Sequence, residues 1–368
     1  MRPVGVAALN APARVQGVDL ARGLAVLGML AAHLLTIESF DPTRPETWID
    51  IANGRSSILF ATLAGVSIAL LSAEPGSGGT RPQTGPALSL TRRRLVVRAV
   101  LIWLLGAALI ATGVPVYVIL PAYALLFLFG ATLLTLRTPT LWITAAALAV
   151  VMPWVQPVLD VLPMWQGESG SDLAALVGWH YPFPLWAAFL LAGMAAGRSD
   201  LRSVRTDLGL LLGGLAAVVV AGIGTSVTTR ALAAAPEGGS LGGYLQTVLT
   251  DAPHSGGLWE VIGSGGGALA TLGACVLVCR TPVSAVLLPL RAVGSMPLTA
   301  YVGQLCVWAL WAAAVLGDTG DLGGFRALDP FWPFALGTIL ACTAWALLWG
   351  RGPLERIVAT LTRLLVPR

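Results

Sequence analysis

Ten apolar runs, each long enough to cross a lipid bilayer, succeed one another along this chain, and they restrict its fold more than any other feature. They fall at about residues 18–37, 54–73, 95–112, 116–136, 140–158, 182–198, 208–228, 258–279, 297–316 and 331–349. Hydrocarbon offers no partner to a backbone N–H or C=O, so runs of this length are expected to close as α-helices. Composition agrees: 56% of the 368 residues are hydrophobic and 11% are charged, with a mean hydropathy of +0.80, which excludes a soluble domain of this length. The expected fold is all-α, a polytopic integral membrane helical bundle of about ten transmembrane helices in a cell membrane.

The arginines supply an orientation. All 22 cations are arginine, and basic residues gather in cytoplasmic loops. With the N-terminus inside, ten spans put Arg2, Arg14, Arg22, Arg81, Arg92, Arg93, Arg94, Arg98, Arg137, Arg198, Arg202, Arg205, Arg280, Arg291, Arg351, Arg356, Arg363 and Arg368 on the cytoplasmic side. Only Arg44, Arg55, Arg230 and Arg326 remain outside. The outer loops are acidic instead, carrying Glu38, Asp41, Glu46, Asp50, Asp160, Glu168, Asp172, Glu237, Asp251, Asp318, Asp321 and Asp329. Both termini are then cytoplasmic, and removing one span would scatter the arginines. The net charge of +4 therefore reports orientation toward membrane lipids and gives no sign of a nucleic-acid partner.

Within this frame, residues 1–17 form a cytoplasmic tail, 18–350 the transmembrane domain and 351–368 an amphipathic tail. The stretch Glu74–Leu90, rich in Gly, Pro, Ser and Thr, reads as a flexible cytoplasmic loop. Two long outer loops, about 159–181 and 229–257, offer places for an entrance or lid. In the tail, Leu354, Ile357, Val358, Leu361, Leu364 and Leu365 share a stripe that suits the inner leaflet. Arg2, Arg14 and Arg22 before Gly23–Ala32 imitate a signal peptide, but the basic region is long for one.

Ionisable groups inside a span are costly and by default mark a function. Arg22 and His33 stand eleven residues apart in the first run, which places them on nearly one helix face, roughly 16 Å apart along the axis. Asp19, one turn earlier, can hold the guanidinium in an ion pair. Without a function, Arg22 would be a snorkelling anchor. The three histidines, His33, His180 and His254, all fall toward the outer side, and imidazole is the usual general base for a hydroxyl or amine. His254 opens HSGGLWE, where Ser255 can cap the coming helix and Glu260 can orient the ring. His180, in GWHYPFP, suits an interfacial aromatic belt at the edge of a substrate site.

Arg92, Arg93, Arg94 and Arg98 are positive-inside anchors that can also hold phosphate groups. Tyr301 and Gln304, one turn apart in PLTAYVGQ, can line a cavity, as can Asn53, Arg55 and Ser56 in IANGRSSILF. Gly263, Gly265, Gly266 and Gly267 lack a P-loop lysine and read as close helix packing. Cys275 and Cys279 share a face without further ligands, so no metal is expected. With Cys306 and Cys342 they read as packed thiols.

The pattern of Arg22, ten residues and His33 resembles the signature of membrane acyltransferases of the acyltransferase-3 type. The fuller string RVQGVDLARGLAVLGMLAAH is more similar to the heparan-alpha-glucosaminide N-acetyltransferase-like and YeiB-like branch of that superfamily. GRSSILFATLAGVSIAL, YPFPLWAAFLLAGMAAGR, HSGGLWEVIGSGGGALATLG, PLRAVGSMPLTAYVGQ and GPLERIV follow in the same order. The resemblance implies a transferase that takes an acyl group from cytoplasmic acyl-CoA, with acetyl-CoA as co-substrate. The acceptor, a cell-envelope saccharide, lipid or small molecule, would lie on the outer side. By the same resemblance Arg22 contacts the CoA end, helped by Arg92–Arg94 or Arg98, and His33 deprotonates the acceptor or carries the acyl group. His254 is the second candidate base. Lysosomal relatives place their histidine in the loop after the first span, and here Glu38–Asp50 contains none.

The rival function is a membrane transporter or lipid exporter without acyl transfer, since ten spans with polar entrances suit a translocation path. A proton-coupled carrier usually needs a carboxylate within the membrane, and Asp19 and Glu260 lie toward span ends. A homo-oligomer is compatible with either.

Overall fold

A backbone without water bonds within its own segment, and all ten apolar runs are helical in the computed structural model, which describes residues 4–12, 14–38, 40–234 and 240–367. Arg2, Glu237 and Arg368 lie outside the described residues. The helices are α1 (Val4–Leu9), α2 (Gln16–Leu34), α3 (Arg55–Leu71), α4 (Gly85–Ile110), α5 (Leu120–Thr132), α6 (Thr138–Asp160), α7 (Gly167–Val177), α8 (Phe183–Arg198) and α9 (Val204–Ala234). They continue with α10 (Ser240–Val248), α11 (Leu258–Val278), α12 (Val283–Val286), α13 (Leu288–Ser295), α14 (Pro297–Leu316), α15 (Leu322–Arg326), α16 (Phe331–Leu348) and α17 (Pro353–Leu365). No strand occurs among the described residues.

Seven of these segments are long and apolar enough to cross a membrane: α2, α6, α9, α11, α14, α16, and α3 together with the 3-10 turn before it. α5 and α8 are apolar but shorter, and α4 carries four arginines between residues 92 and 98. The outward faces are apolar as well. Val219, Ile223 and Val227 of α9, Leu310 of α14 and Leu340 of α16 are each more than half exposed, an arrangement suited to hydrocarbon. The chain is an integral membrane protein.

Glycines set the distance between the inner helices. A Cβ at Gly193 on α8 would lie 1.8 Å from the Thr62 carbonyl oxygen on α3, and one at Gly65 would lie 2.0 Å from that of Leu190. The same close approach joins α2 to α13 through Gly23 and Gly294, and α9 to α11 through Gly214 and Gly266. Gly193→Ala must therefore push α8 from α3, at a cost of about 1–3 kcal/mol. A thermal melt is expected to show the loss, while Gly209→Ala, where nothing lies within 4 Å, leaves the melt unchanged.

Residues that the arginine rule assigns to one side meet at one end of the bundle. Arg202 donates to the Pro12 carbonyl (3.2 Å), Arg94 to that of Val366 (3.4 Å) and Arg280 to Asp207 (2.5 and 2.9 Å). Buried Arg291 ties α13 to the N-terminal segment through the Leu9 carbonyl (2.9 Å) and Asn10 Oδ1 (2.8 Å). At the opposite end Arg326 meets His33, Tyr181 meets Tyr117 and Trp103 meets Leu176.

Two expectations change and a third holds. The stretch 74–90 is only partly a loop, because α4 already begins at Gly85. Its remainder is closed by backbone bonds from Glu74 to Arg81 and from Gln83 to Ser72, both 2.8 Å. Among the cysteines, Cys275 and Cys342 are buried and Cys279 is partly buried, but Cys306 on α14 is exposed. The tail does form a helix, α17, whose Ala359 and Thr362 are buried while Ile357, Leu361, Leu364 and Leu365 are exposed.

Candidate functional site

Two cavities lie on either side of α3. The larger, about 640 Å³, is enclosed by α1–α5, the start of α14 and the segment leading into α17. Its charged lining is Arg14, Asp19, Arg22, Arg98, Arg351 and Glu355, all from the arginine-rich end. From Leu71 to Phe60 it follows eleven residues of α3, roughly 16 Å. It stops at Phe60, Leu120, Tyr123 and Tyr301.

Arg22 is held inside this cavity from two sides. Its Nη2 donates to Ser67 Oγ at 2.7 Å and its Nη1 to Asp19 Oδ1 at 3.3 Å, the ion pair expected from the sequence. Asp19 is buried and also accepts from Arg14, so one carboxylate orients two guanidiniums. Such pairing makes a desolvated arginine tolerable and fixes its direction. At the far end, the Tyr123 hydroxyl donates to the Phe60 carbonyl at 2.6 Å and the two rings stack at 4.9 Å. The Tyr301 hydroxyl accepts the Ile119 N–H at 3.3 Å.

The second cavity, about 300 Å³, lies at the opposite end, and Ile58 of α3 is part of its wall. Phe60 stands two positions after Ile58, which on a helix turns them to opposite faces only about 3 Å apart in height. The two cavities thus approach each other across α3. The second is lined by Gln156, Asp160, Trp179, His180, Trp186, His254 and Glu260. Asp160 Oδ1 accepts from Gln156 Nε2 (2.7 Å) and Trp179 Nε1 (2.9 Å), leaving Gln156 Oε1 buried without a partner. His180 stacks on Tyr117 at 3.6 Å.

His254 stands in a left-handed conformation, φ +62°, which non-glycine residues rarely adopt. Glu260 stabilises it. Its carboxylate accepts the backbone N–H of His254 (2.5 Å) and Gly256 (2.7 Å) and the Ser255 hydroxyl (3.1 Å). Gly54, itself at φ +70°, packs against Pro253. Burial pushes the His254 imidazole below its ordinary pKa, and His180 moves the same way for the same reason. Both rings are consequently neutral at physiological pH, the form that accepts a proton.

The sequence candidates divide between these cavities and elsewhere. Arg22, Arg98 and Tyr301 meet in the first, and His180, His254 and Glu260 in the second. His33 lines neither. It is the penultimate residue of α2, half-buried, its carbonyl gripped by Arg326 Nε (3.0 Å) and Nη2 (2.8 Å). Glu260 holds the backbone of the 254–256 loop instead of an imidazole, and Ser255 does not cap α11, whose N-cap is Gly257. Gln304 is drawn away by a bond to Thr338 Oγ1 at 3.1 Å across the groove between α14 and α16.

Arg92 and Arg94 donate to the carbonyls of Ala131 (3.2 Å) and Val366 (3.4 Å), and Arg93 is exposed. Asn53 bonds Asp50, Arg55 reaches the carbonyls of Asp50 and Ile51, and Ser56 bonds the Ala52 carbonyl, so local turns consume all three. Sequence reasoning missed Ser67, Tyr123, Gln156, Trp179, Arg351 and Glu355 as lining residues. The available signal was a lone polar residue in an apolar helix, as in AGVSIAL, LPAYALL and PWVQPVL.

Comparison with known families adds an independent finding. Residues 210–364 match a family described as "Protein of unknown function (DUF418)". No curated protein matches the chain. Residues 14–226, which contain Arg22, Ser67, Arg98 and Tyr123 of the first cavity and His180 of the second, match the family described as "Heparan-alpha-glucosaminide N-acetyltransferase, catalytic". That match covers more than half of the chain, which therefore belongs to the heparan-alpha-glucosaminide N-acetyltransferase catalytic family.

Proposed function

We propose that this protein is an integral-membrane acyltransferase that moves an acyl group, acetyl in the simplest case, from cytoplasmic acyl-CoA to an acceptor on the outer side. The acceptor is a cell-envelope saccharide, lipid or small molecule. The chain crosses the membrane ten times with both termini in the cytoplasm, so that the arginine-rich cavity faces the donor and the histidine cavity faces the acceptor. The observation that carries this reading is the approach of two chemically opposite cavities on the two faces of α3, one holding Arg22 and one holding His254.

In this mechanism the donor enters thioester first. Its acyl end reaches toward Phe60, Tyr123 and Tyr301 while its phosphates stay near the arginines. The acceptor sits beside Trp179, Asp160 and Gln156, and His254 removes the proton from its amine or hydroxyl. The new N–C or O–C bond forms as the C–S bond breaks, and CoA leaves as a thiolate that takes up a proton. The stacked Phe60–Tyr123 pair closes the inner cavity in this conformation, so transfer requires that wall to part.

The test uses proteoliposomes loaded with radiolabelled acetyl-CoA and supplied externally with amino sugars, lipids or envelope extract. Label is expected on an external acceptor. If the acceptor instead crosses unmodified without any acyl donor, transport replaces transfer as the activity.

A further inference from the structure

The first cavity contains more positive charge than its own carboxylates can balance. Asp19 is occupied by Arg14 and Arg22. Glu355, the other acid, is directed elsewhere: its Oε1 accepts the N–H groups of Leu298 (2.8 Å) and Thr299 (3.1 Å), and its Oε2 accepts the Thr299 hydroxyl (2.5 Å). It therefore caps α14 and fixes α17 to it. Arg98 and Arg351 remain, and among the described residues neither has a carboxylate within 4.0 Å. The Nε of Arg98 is buried without a hydrogen-bond partner.

Arg98 and Arg351 are like charges lining one cavity, and Arg94 stands one turn before Arg98 on α4. A like-charged pair held at the wall of a cavity is stabilised by an anion between them, and a guanidinium fork suits phosphate oxygens. The positions are fixed from outside the pair. Arg98 belongs to α4, and Arg351 is four residues before the Glu355 cap, its carbonyl bonded by Trp345 Nε1 at 3.1 Å.

We infer that Arg98 and Arg351 form a phosphate-binding pair for the nucleotide end of the acyl donor, so that the region of unknown function, 210–364, completes the donor site of the acetyltransferase region. This inference rests on the acyl-CoA reading above. It assigns Arg351 a role for which its sequence context, between two glycines in WGRGP, gave no indication.

Binding is measured on the full chain in nanodiscs with two probes, CoA and phosphate-free pantetheine. Arg351→Gln and Arg98→Gln are each expected to weaken CoA on the order of tenfold and to leave pantetheine unchanged. Arg351→Lys should recover part of the loss, and Arg205→Gln, on an exposed arginine lining neither cavity, should behave as wild type. Wild-type CoA affinity in Arg351→Gln overturns the inference, and because Arg351 is exposed, that variant remains informative if Arg98→Gln fails to fold.

Nanodiscs with and without phosphatidylglycerol separate a nucleotide phosphate from a lipid headgroup. Variants that change only phosphatidylglycerol retention also overturn the inference. CoA binding that depends on Arg98 and Arg351 but supports no acyl transfer keeps this site and removes the transferase reading. Acyl transfer with an unchanged acetyl-CoA KM in Arg351→Gln does the reverse.

Discussion

Alanine at His254 is expected to lower acyl transfer by roughly two to four orders of magnitude, the usual loss when a general base is removed, with CoA affinity unchanged. We propose this role for His254 over His33 because His254 lines the second cavity, whereas His33 does not. His33→Ala should cost less, about tenfold, because His33 lines neither cavity. A larger loss from His33→Ala than from His254→Ala would reverse the assignment. The pH dependence supplies a second check. Burial lowers the His254 pKa, so the ring stays neutral, and able to accept a proton, at a pH where an ordinary imidazole is already charged. The acid limb of the kcat/KM profile should fall below the ordinary imidazole range and disappear in His254→Ala.

Leucine at Arg22 is expected to raise the KM for acetyl-CoA roughly ten- to a hundredfold while kcat changes little, the signature of lost uniform binding. Folding should survive, because Asp19 keeps Arg14 as its partner. Lysine at this position should recover only part of the affinity: a point charge cannot bond both Ser67 and Asp19 in the fork that aims the guanidinium. A lowered melting temperature with an unchanged KM would make Arg22 a structural anchor, the bland alternative for an arginine near the end of a span.

Much of this architecture was legible before any coordinates. The ten apolar runs match helices because a segment in hydrocarbon has one way to satisfy its backbone, and the Asp19–Arg22 pair follows from one helical turn. Residues chosen because they cluster in sequence fared less well. Asn53, Arg55 and Ser56 bond to their own turn, and Arg92 and Arg94 cap neighbouring carbonyls. Adjacency along a chain reports local bonding, which turn-forming polar groups readily satisfy. Glu260 illustrates the same point: close to His254 in sequence, it serves the loop's N–H groups, which a lone imidazole could not satisfy.

The sequence by itself determined the helices, their apolar faces, the division into an arginine-rich and an acidic end, and the face shared by Arg22 and its partner Asp19. These are properties of single segments and of charge in a layered solvent. Only the tertiary structure decided which segments share a cavity. Arg22, Arg98 and Arg351 come from α2, α4 and the entry to α17, and they meet because glycine-mediated packing holds α13 against α2 while Glu355 ties α17 to α14. His254 lines the second cavity and His33 does not, for a related reason. The 254–256 loop is held by Glu260, whereas His33 sits near the end of a helix with its own carbonyl engaged by Arg326. Contacts between segments so distant in sequence depend on helix order and side-chain volume, which no periodicity within one helix records.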